Sequence, residues 1–326
     1  MFSKIRPIPH NKYLPVTPET RKKIARLLKK GIWNKGIEVK NAEEKLAVRM
    51  GRKYGCLVTS GTEALYLAAS LVFNHNAPIA VPAYCCSAIP NALFKAGLKI
   101  QICDVNEKGV LVPPQSGCSG FLAVSSFGRN IENNTDLTWI EDSTHSDTCI
   151  KQAKCSVLSI WGSKYWGGDI GGAILCDDRE LYEKMKSNQD YDGKAGIHAP
   201  GRLSDISGLI IQDRINREDK LKNQKKHIRT YYDNAFSINT QDQNYRYIIR
   251  VNSASKFMSE LHQTGIMATI PVISWCDLTN FKQAKHLSKT LVSLPFFPNL
   301  KKKEQQYIIS KIKDIAVKNK TMIMAF

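Results

Sequence analysis

A chain of 326 residues, 43% hydrophobic and 23% charged, is long enough to bury one large core and a smaller one, which excludes a disordered or miniature protein. The formal charge of +18 comes from 47 Lys and Arg that are spread along the chain. Their clusters at 21–30, 220–229 and 301–303 read mostly as solvated helix faces, so a nucleic-acid-binding class is set aside, while an anionic small substrate suits the residual bias.

Taken in order, the start carries no apolar leader and no run approaches a membrane span, so the expectation is a cytoplasmic protein with no membrane contact. Thr17-Pro18-Glu19 opens a predicted helix that continues through Ile24, Leu27 and Leu28 to Gly31. A second helix is predicted over 41–53, capped by Asn41 and stopped by Gly51. Short apolar runs at 56–59, 78–81, 99–103, 121–125, 138–140, 155–160 and 173–176 have strand length, with helical segments at 62–73 and 86–96 between them. This alternation predicts an α/β domain with a largely parallel sheet, whose ligands sit beyond the carboxyl ends of the strands.

The pattern changes near residue 195. One long helix is predicted over 204–235, then a strand at 246–251 and helices at 254–264 and 303–317, which make a small α+β region. The expected division is a large α/β domain over 1–200 and a long helix with the small domain over 201–326. Nine scattered cysteines form no C-x-x-C pair, and the adjacent Cys85 and Cys86 cannot both serve a tetrahedral ion; reduced thiols and no metal are expected.

Three segments that follow strands carry chemistry. Ser60-Gly61-Thr62 precedes an apolar helix, a pattern that fits either a phosphate cradle on free N–H groups or an ordinary N-cap. Glu141-Asp142 closes a strand before Ser143-Thr144-His145. A carboxylate there suits a cationic ring nitrogen, or else a cap or a salt bridge. The third runs from Ser159 through Lys164 to the pairs Gly167-Gly168 and Gly171-Gly172. A lysine set among small and aromatic residues suits a nucleophilic amine, and the order of the glycines does not match a triphosphate loop.

In this order and spacing the three segments resemble the DegT-like sugar-nucleotide aminotransferases. The likeness extends through Val81-Pro82-Ala83-Tyr84, Ser126-Phe127-Gly128, Arg202-Leu203-Ser204-Asp205 and Leu294-Pro295-Phe296-Phe297-Pro298, from about Ile8 to Ile315. It implies a large pyridoxal 5'-phosphate (PLP) transferase domain with a small C-terminal domain, and transfer of an amino group from glutamate to a nucleotide-linked keto-sugar. Lys164 becomes the residue that links to PLP and moves the proton, Asp142 the partner of the ring nitrogen, and His145 the neighbour of the phenolic oxygen. Ser159, Ser60, Gly61 and Thr62 become the phosphate contacts.

The resemblance places Cys86 against the cofactor, where most members have an aromatic residue that stacks on the ring, so Tyr84, otherwise a candidate substrate or partner contact, is the alternative for stacking. The chain also departs from the family at Pro200, where many members have an asparagine that reaches the neighbouring subunit, so His198 and Arg202 become the other candidate substrate or partner contacts. A homodimer with shared sites is implied. Two other readings stay open: a PLP-dependent sugar dehydratase, whose members replace the lysine, and a regulator that retains the fold without catalysis.

Overall fold

A computed structural model describes residues 7–31, 36–189, 201–240 and 244–326. Helix α1 (Pro18–Lys30) begins where the sequence predicts. The Thr17 hydroxyl accepts from the Thr20 N–H at 3.2 Å, and Gly31 closes the helix at φ 70°. Helix α2 (Ile37–Arg49) starts four residues before the predicted Asn41 cap. Its cap comes from far along the chain: the Asp205 carboxylate accepts from the N–H groups of Gly36, Glu38 and Val39 at 2.8, 2.9 and 3.2 Å. A carboxylate on three free donors at a helix start satisfies them and complements the dipole.

The seven-stranded sheet is built from β1 (Tyr54–Val58), β2 (Ile79–Pro82), β3 (Ile100–Cys103), β4 (Gly120–Val124), β5 (Thr138–Asp142), β6 (Cys155–Ser159) and β7 (Gly172–Cys176), in the order β1-β7-β6-β5-β4-β2-β3. Strands β2 to β6 run parallel, whereas β7 is antiparallel to both β6 and β1. Every residue of β4 and of β7 is buried, as expected for strands covered on both faces. Helices α3 (Gly61–Val72), α4 (Ala88–Lys95) and α5 (Arg179–Gln189) flank the sheet, and α3 lays Ala64, Leu65, Leu67, Ala68 and Ala69 against it. Because β6 and β7 are antiparallel neighbours, the glycine-rich segment 160–171 is a direct connection that folds over the carboxyl end of β6.

In the second half the predicted single helix is two, α6 (Asp205–Asn216) and α7 (Glu218–Phe236). The break at Arg217 has a tertiary cause. Asp213 accepts from the Thr17 N–H at 3.0 Å and the Thr20 hydroxyl at 2.9 Å and pairs with Arg217, whose guanidinium also donates to the Pro15 carbonyl at 3.0 Å. The turn is thus pinned to the N-terminal arm. Strand β8 (Tyr247–Arg250), helix α8 (Ala254–Gln263), helix α9 (Lys282–Thr290), strand β9 (Leu291–Leu294), helix α10 (Lys302–Lys318) and strand β10 (Met324–Ala325) complete the chain. The second sheet is antiparallel, in the order β10-β8-β9, over its own apolar cluster that includes Tyr232, Tyr247, Phe257 and Ile308. Helices α5 and α9 and strands β9 and β10 are additions to the sequence reading. α9 is nine residues long with only Ala284 and Leu287 buried, too sparse a stripe to show a period. No helix among the described residues is long and apolar enough to cross a membrane.

Candidate active site

The start of α3 and the ends of β5 and β6 meet at one place. Ser60 caps α3, its hydroxyl accepting from the Glu63 N–H at 3.1 Å. Gly61 lies against Ser159: a Cβ on Gly61 would stand 2.7 Å from the Ser159 Cβ and 3.2 Å from its Oγ. Only glycine permits that approach. Thr62 is exposed on the first turn. The first N–H groups of a helix, two hydroxyls beside them and a position that tolerates no side chain make a concavity suited to an anion.

Ser159 is held in turn by its neighbour strand's loop. Its N–H donates to the Thr144 Oγ1 at 3.0 Å, and the Thr144 N–H donates to Asp142 at 3.0 Å. Asp142 ends β5 and is buried. Burial pushes its carboxyl above the usual carboxylate range, opposed by the Thr144 hydrogen bonds and by the charge of Lys164. A carboxylate so placed gains from any cation brought to it.

His145 lies between two rings, with Tyr245 at 4.4 Å and 18° and Phe127 at 5.3 Å and 16°. Its Nδ1 is buried without a hydrogen-bond partner. Burial, then the charges of Lys164 and Arg246, hold the imidazole well below its ordinary pKa, so it is neutral at pH 7. Lys164 projects from the β6–β7 connection, which is tied down by hydrogen bonds from Lys164 N–H to the Trp161 carbonyl at 2.7 Å and from Gly167 N–H to the Lys164 carbonyl at 2.9 Å. The Asn11 amide donates to the Ser163 carbonyl at 2.9 Å, so the N-terminal arm braces the same loop. The Lys164 amine lies 6.0 Å from the centre of the Tyr245 ring, on a cleft that Lys12, Lys225 and Arg246 also line.

Cys86 is exposed after β2, whereas Tyr84 is only 2% exposed and packs with Val105, Phe127 and Leu287, its hydroxyl unpartnered. The backbone turn after Pro82 therefore directs Tyr84 into the core and not toward the cleft. Arg202 is exposed just before α6, and His198 lies outside the described residues. Thr144, Tyr245, Arg246 and Lys225 stand at the site without having been expected. Thr144 lies inside the segment 141–145, but no local motif marks the other three, because Tyr245 and Arg246 come from the turn just before β8 and Lys225 from α7.

Residues 16–116 and 126–313 match the DegT/DnrJ/EryC1/StrS aminotransferase family. The chain belongs to that family. A UDP-4-amino-4,6-dideoxy-N-acetyl-beta-L-altrosamine transaminase of Campylobacter jejuni is 24% identical over 249 residues, a match that spans 66% of this chain and 66% of that protein. DesV of S. venezuelae superimposes with a TM-score of 0.86 at 18% identity, over 96% of this chain and 99% of DesV. Spr1654 of Streptococcus pneumoniae, solved in PLP and PMP forms, has a TM-score of 0.81 at 17% identity in its PLP form, over 94% of this chain and 99% of that one. These likenesses establish the fold, an α/β transferase with a mostly parallel seven-stranded sheet, for this DegT-family member.

Proposed function

We propose that this chain is a PLP-dependent aminotransferase that moves an amino group from glutamate to a nucleotide-linked keto-sugar and works as a homodimer. The observation that carries the reading is the chain of contacts from a glycine-against-serine anion cradle through Thr144 to a buried carboxylate that feels the charge of Lys164. The residues fit the cofactor on their own geometry: Gly61 leaves space beside Ser159, and Asp142 is a desolvated carboxylate. Ser60, Gly61, Thr62 and Ser159 would hold the phosphate, Asp142 the protonated ring nitrogen, and His145 the phenolic oxygen. When bound, PLP withdraws electrons from the carbon next to the amine nitrogen.

The chain's own groups then have defined tasks. Asp142, ionised beside a cationic nitrogen, keeps that nitrogen protonated. Lys164, at the open side, accepts a proton at Nζ and returns it to a carbon of the substrate, a general acid–base role. His145, neutral and sandwiched between rings, supplies a hydrogen-bonding nitrogen without adding charge. The family's transaminase members and the C. jejuni relative's own substrate, an amino-sugar nucleotide, support the acceptor class.

The test is borohydride treatment of the PLP-loaded protein followed by peptide mass spectrometry. The expected result is PLP fixed on Lys164, none fixed in Lys164→Ala, and loss of the visible absorbance when glutamate is added, with 2-oxoglutarate released. Failure of the wild type to bind PLP overturns the reading and favours a regulator. Binding with no response to any amino donor points to the dehydratase.

A further inference from the structure

Three cations surround one ring in the cleft. The Lys164 amine, the Lys225 amine and the Arg246 guanidinium carbon lie 6.0, 5.9 and 5.3 Å from the centre of the Tyr245 ring. Lys164 and Lys225 are therefore at most about 12 Å apart, the sum of their two distances. Lys225 donates to two backbone carbonyls, Tyr245 at 3.0 Å and Asn244 at 3.3 Å, and Arg246 donates to the Pro271 carbonyl at 3.1 Å. Neither makes an ion pair with a carboxylate among the described residues.

Among the described residues, the one carboxylate that lines this cleft is Glu218. It is already occupied, pairing with Arg49, with Lys222 at 2.8 Å and with the Tyr165 hydroxyl at 3.0 Å. His10, also on the wall, is bonded to the Ser293 hydroxyl at 2.9 Å and is held neutral, its pKa brought down to about 3 by burial and then by Arg246 and Lys225. The wall thus carries positive charge that no carboxylate among the described residues answers at Lys225 or Arg246. Partly desolvated cations without a counter-charge are costly, and the cost is recovered when an anion binds.

We propose that Lys225 and Arg246 form an oxyanion subsite beside Lys164, which takes the anionic end of a substrate whose other end reacts at the lysine. Two anions have this chemistry, the distal carboxylate of a dicarboxylic amino donor and the diphosphate of a sugar nucleotide; their candidacy rests on the aminotransferase reading, whereas the subsite itself rests on the charge geometry. The Lys225 ammonium, lowered to about 7 by burial and by Arg246, is the group an arriving anion stabilises most. Arg246 adds a planar donor pair suited to either oxyanion.

Calorimetric titration of the full chain, PLP-loaded and PLP-free, with glutarate and with UDP tests this without any turnover. The wild type is expected to bind at least one probe. Lys225→Met and Arg246→Met should each weaken that probe by about tenfold, the scale of one charge-assisted hydrogen bond. Lys226→Met, on the exposed side of α7, should bind as the wild type does. A loss confined to glutarate assigns the subsite to the donor carboxylate, and one confined to UDP assigns it to the diphosphate. Wild-type affinity of both cleft variants for both probes overturns the proposal, as does absence of binding by the wild type. If Lys225→Met does not fold, Arg246→Met decides alone. Anion binding that is intact in a protein without transaminase activity would overturn the proposed function and leave the subsite standing.

Discussion

The two carboxylates that end β5 are chain neighbours on opposite faces of the sheet, and they live in different worlds. On one face Glu141 is held by three donors: it accepts from the Ser125 hydroxyl at 2.5 Å, the Ser156 hydroxyl at 2.7 Å and the Ile150 N–H at 2.8 Å. Arg52 donates to the same Ser156 hydroxyl at 3.1 Å and to the Ala153 and Ile150 carbonyls at 2.9 and 2.7 Å, which extends the network under the sheet. On the other face Asp142 has Thr144 and the more distant charge of Lys164, with acceptor capacity left over. A buried acid held by three donors from neighbouring segments ties strands together, and one with more capacity to spare is arranged for something that arrives.

The two faces should therefore fail in opposite ways. Asp142→Asn is expected to lower turnover by about 10²- to 10³-fold, the loss typical of removing one preorganised electrostatic contact. The folded protein should survive it. Because the folded-state carboxyl sits above its ordinary range, its contribution to stability is full below the unfolded value near 4 and is lost as pH rises through the higher folded value. The PLP-free variant should thus gain on the parent in urea denaturation as pH is raised from 4 to 7; an unchanged difference across that range would count against the assigned burial effect. Glu141→Gln should do the reverse. Its amide turns a donor toward groups that already donate, which costs about 3 kcal/mol of unfolding free energy. Turnover per folded molecule should hold, and a catalytic loss larger than the stability loss would break the contrast.

The Asp142 face was the more legible of the two in the sequence. Ser60-Gly61-Thr62, the end of β5 and the Lys164 loop each follow a strand directly, so a local pattern places them where ligands bind in such sheets. Residues whose position depends on how distant elements pack gave no such signal. Tyr245, Arg246 and Lys225 reach the cleft only because the second sheet and α7 close over it. The start of α2 was misplaced for the same kind of reason, since its capping carboxylate, Asp205, lies 169 residues from Gly36. Tyr84 and Cys86 show a further limit. Both lie in the turn after Pro82, and which of them faces the core depends on the backbone path of that turn and not on residue type.

The cradle can be broken with one methyl group. Gly61→Ala would put its Cβ 2.7 Å from the Ser159 Cβ, and Ser159 cannot retreat easily because its N–H is bonded to Thr144. Overpacking of this kind costs about 1–2 kcal/mol, which predicts roughly tenfold weaker PLP binding in a fluorescence titration. Lys164 should still be labelled by borohydride once PLP is saturating. Unchanged affinity would show that the phosphate is held elsewhere.

Thr144 offers the smallest effect and the sharpest view of the contrast, because it touches both the carboxylate and the cradle. Its hydroxyl accepts from the Ser159 N–H, and together with its own N–H it lowers the Asp142 carboxyl against the upward push of burial. Thr144→Val keeps the shape and removes the hydroxyl. A buried N–H then loses its acceptor, at about 1 kcal/mol, and Asp142 moves further from the ionised form. The expected signature is a small drop in the urea midpoint together with an upward shift in the pH at which the bound-cofactor spectrum loses its Asp142-dependent limb. Thr144→Ser, which restores the hydroxyl, should recover both. A drop in stability with no spectral shift would mean that Thr144 serves only the backbone of Ser159, and the coupling between cradle and carboxylate would then have to run through Lys164 instead.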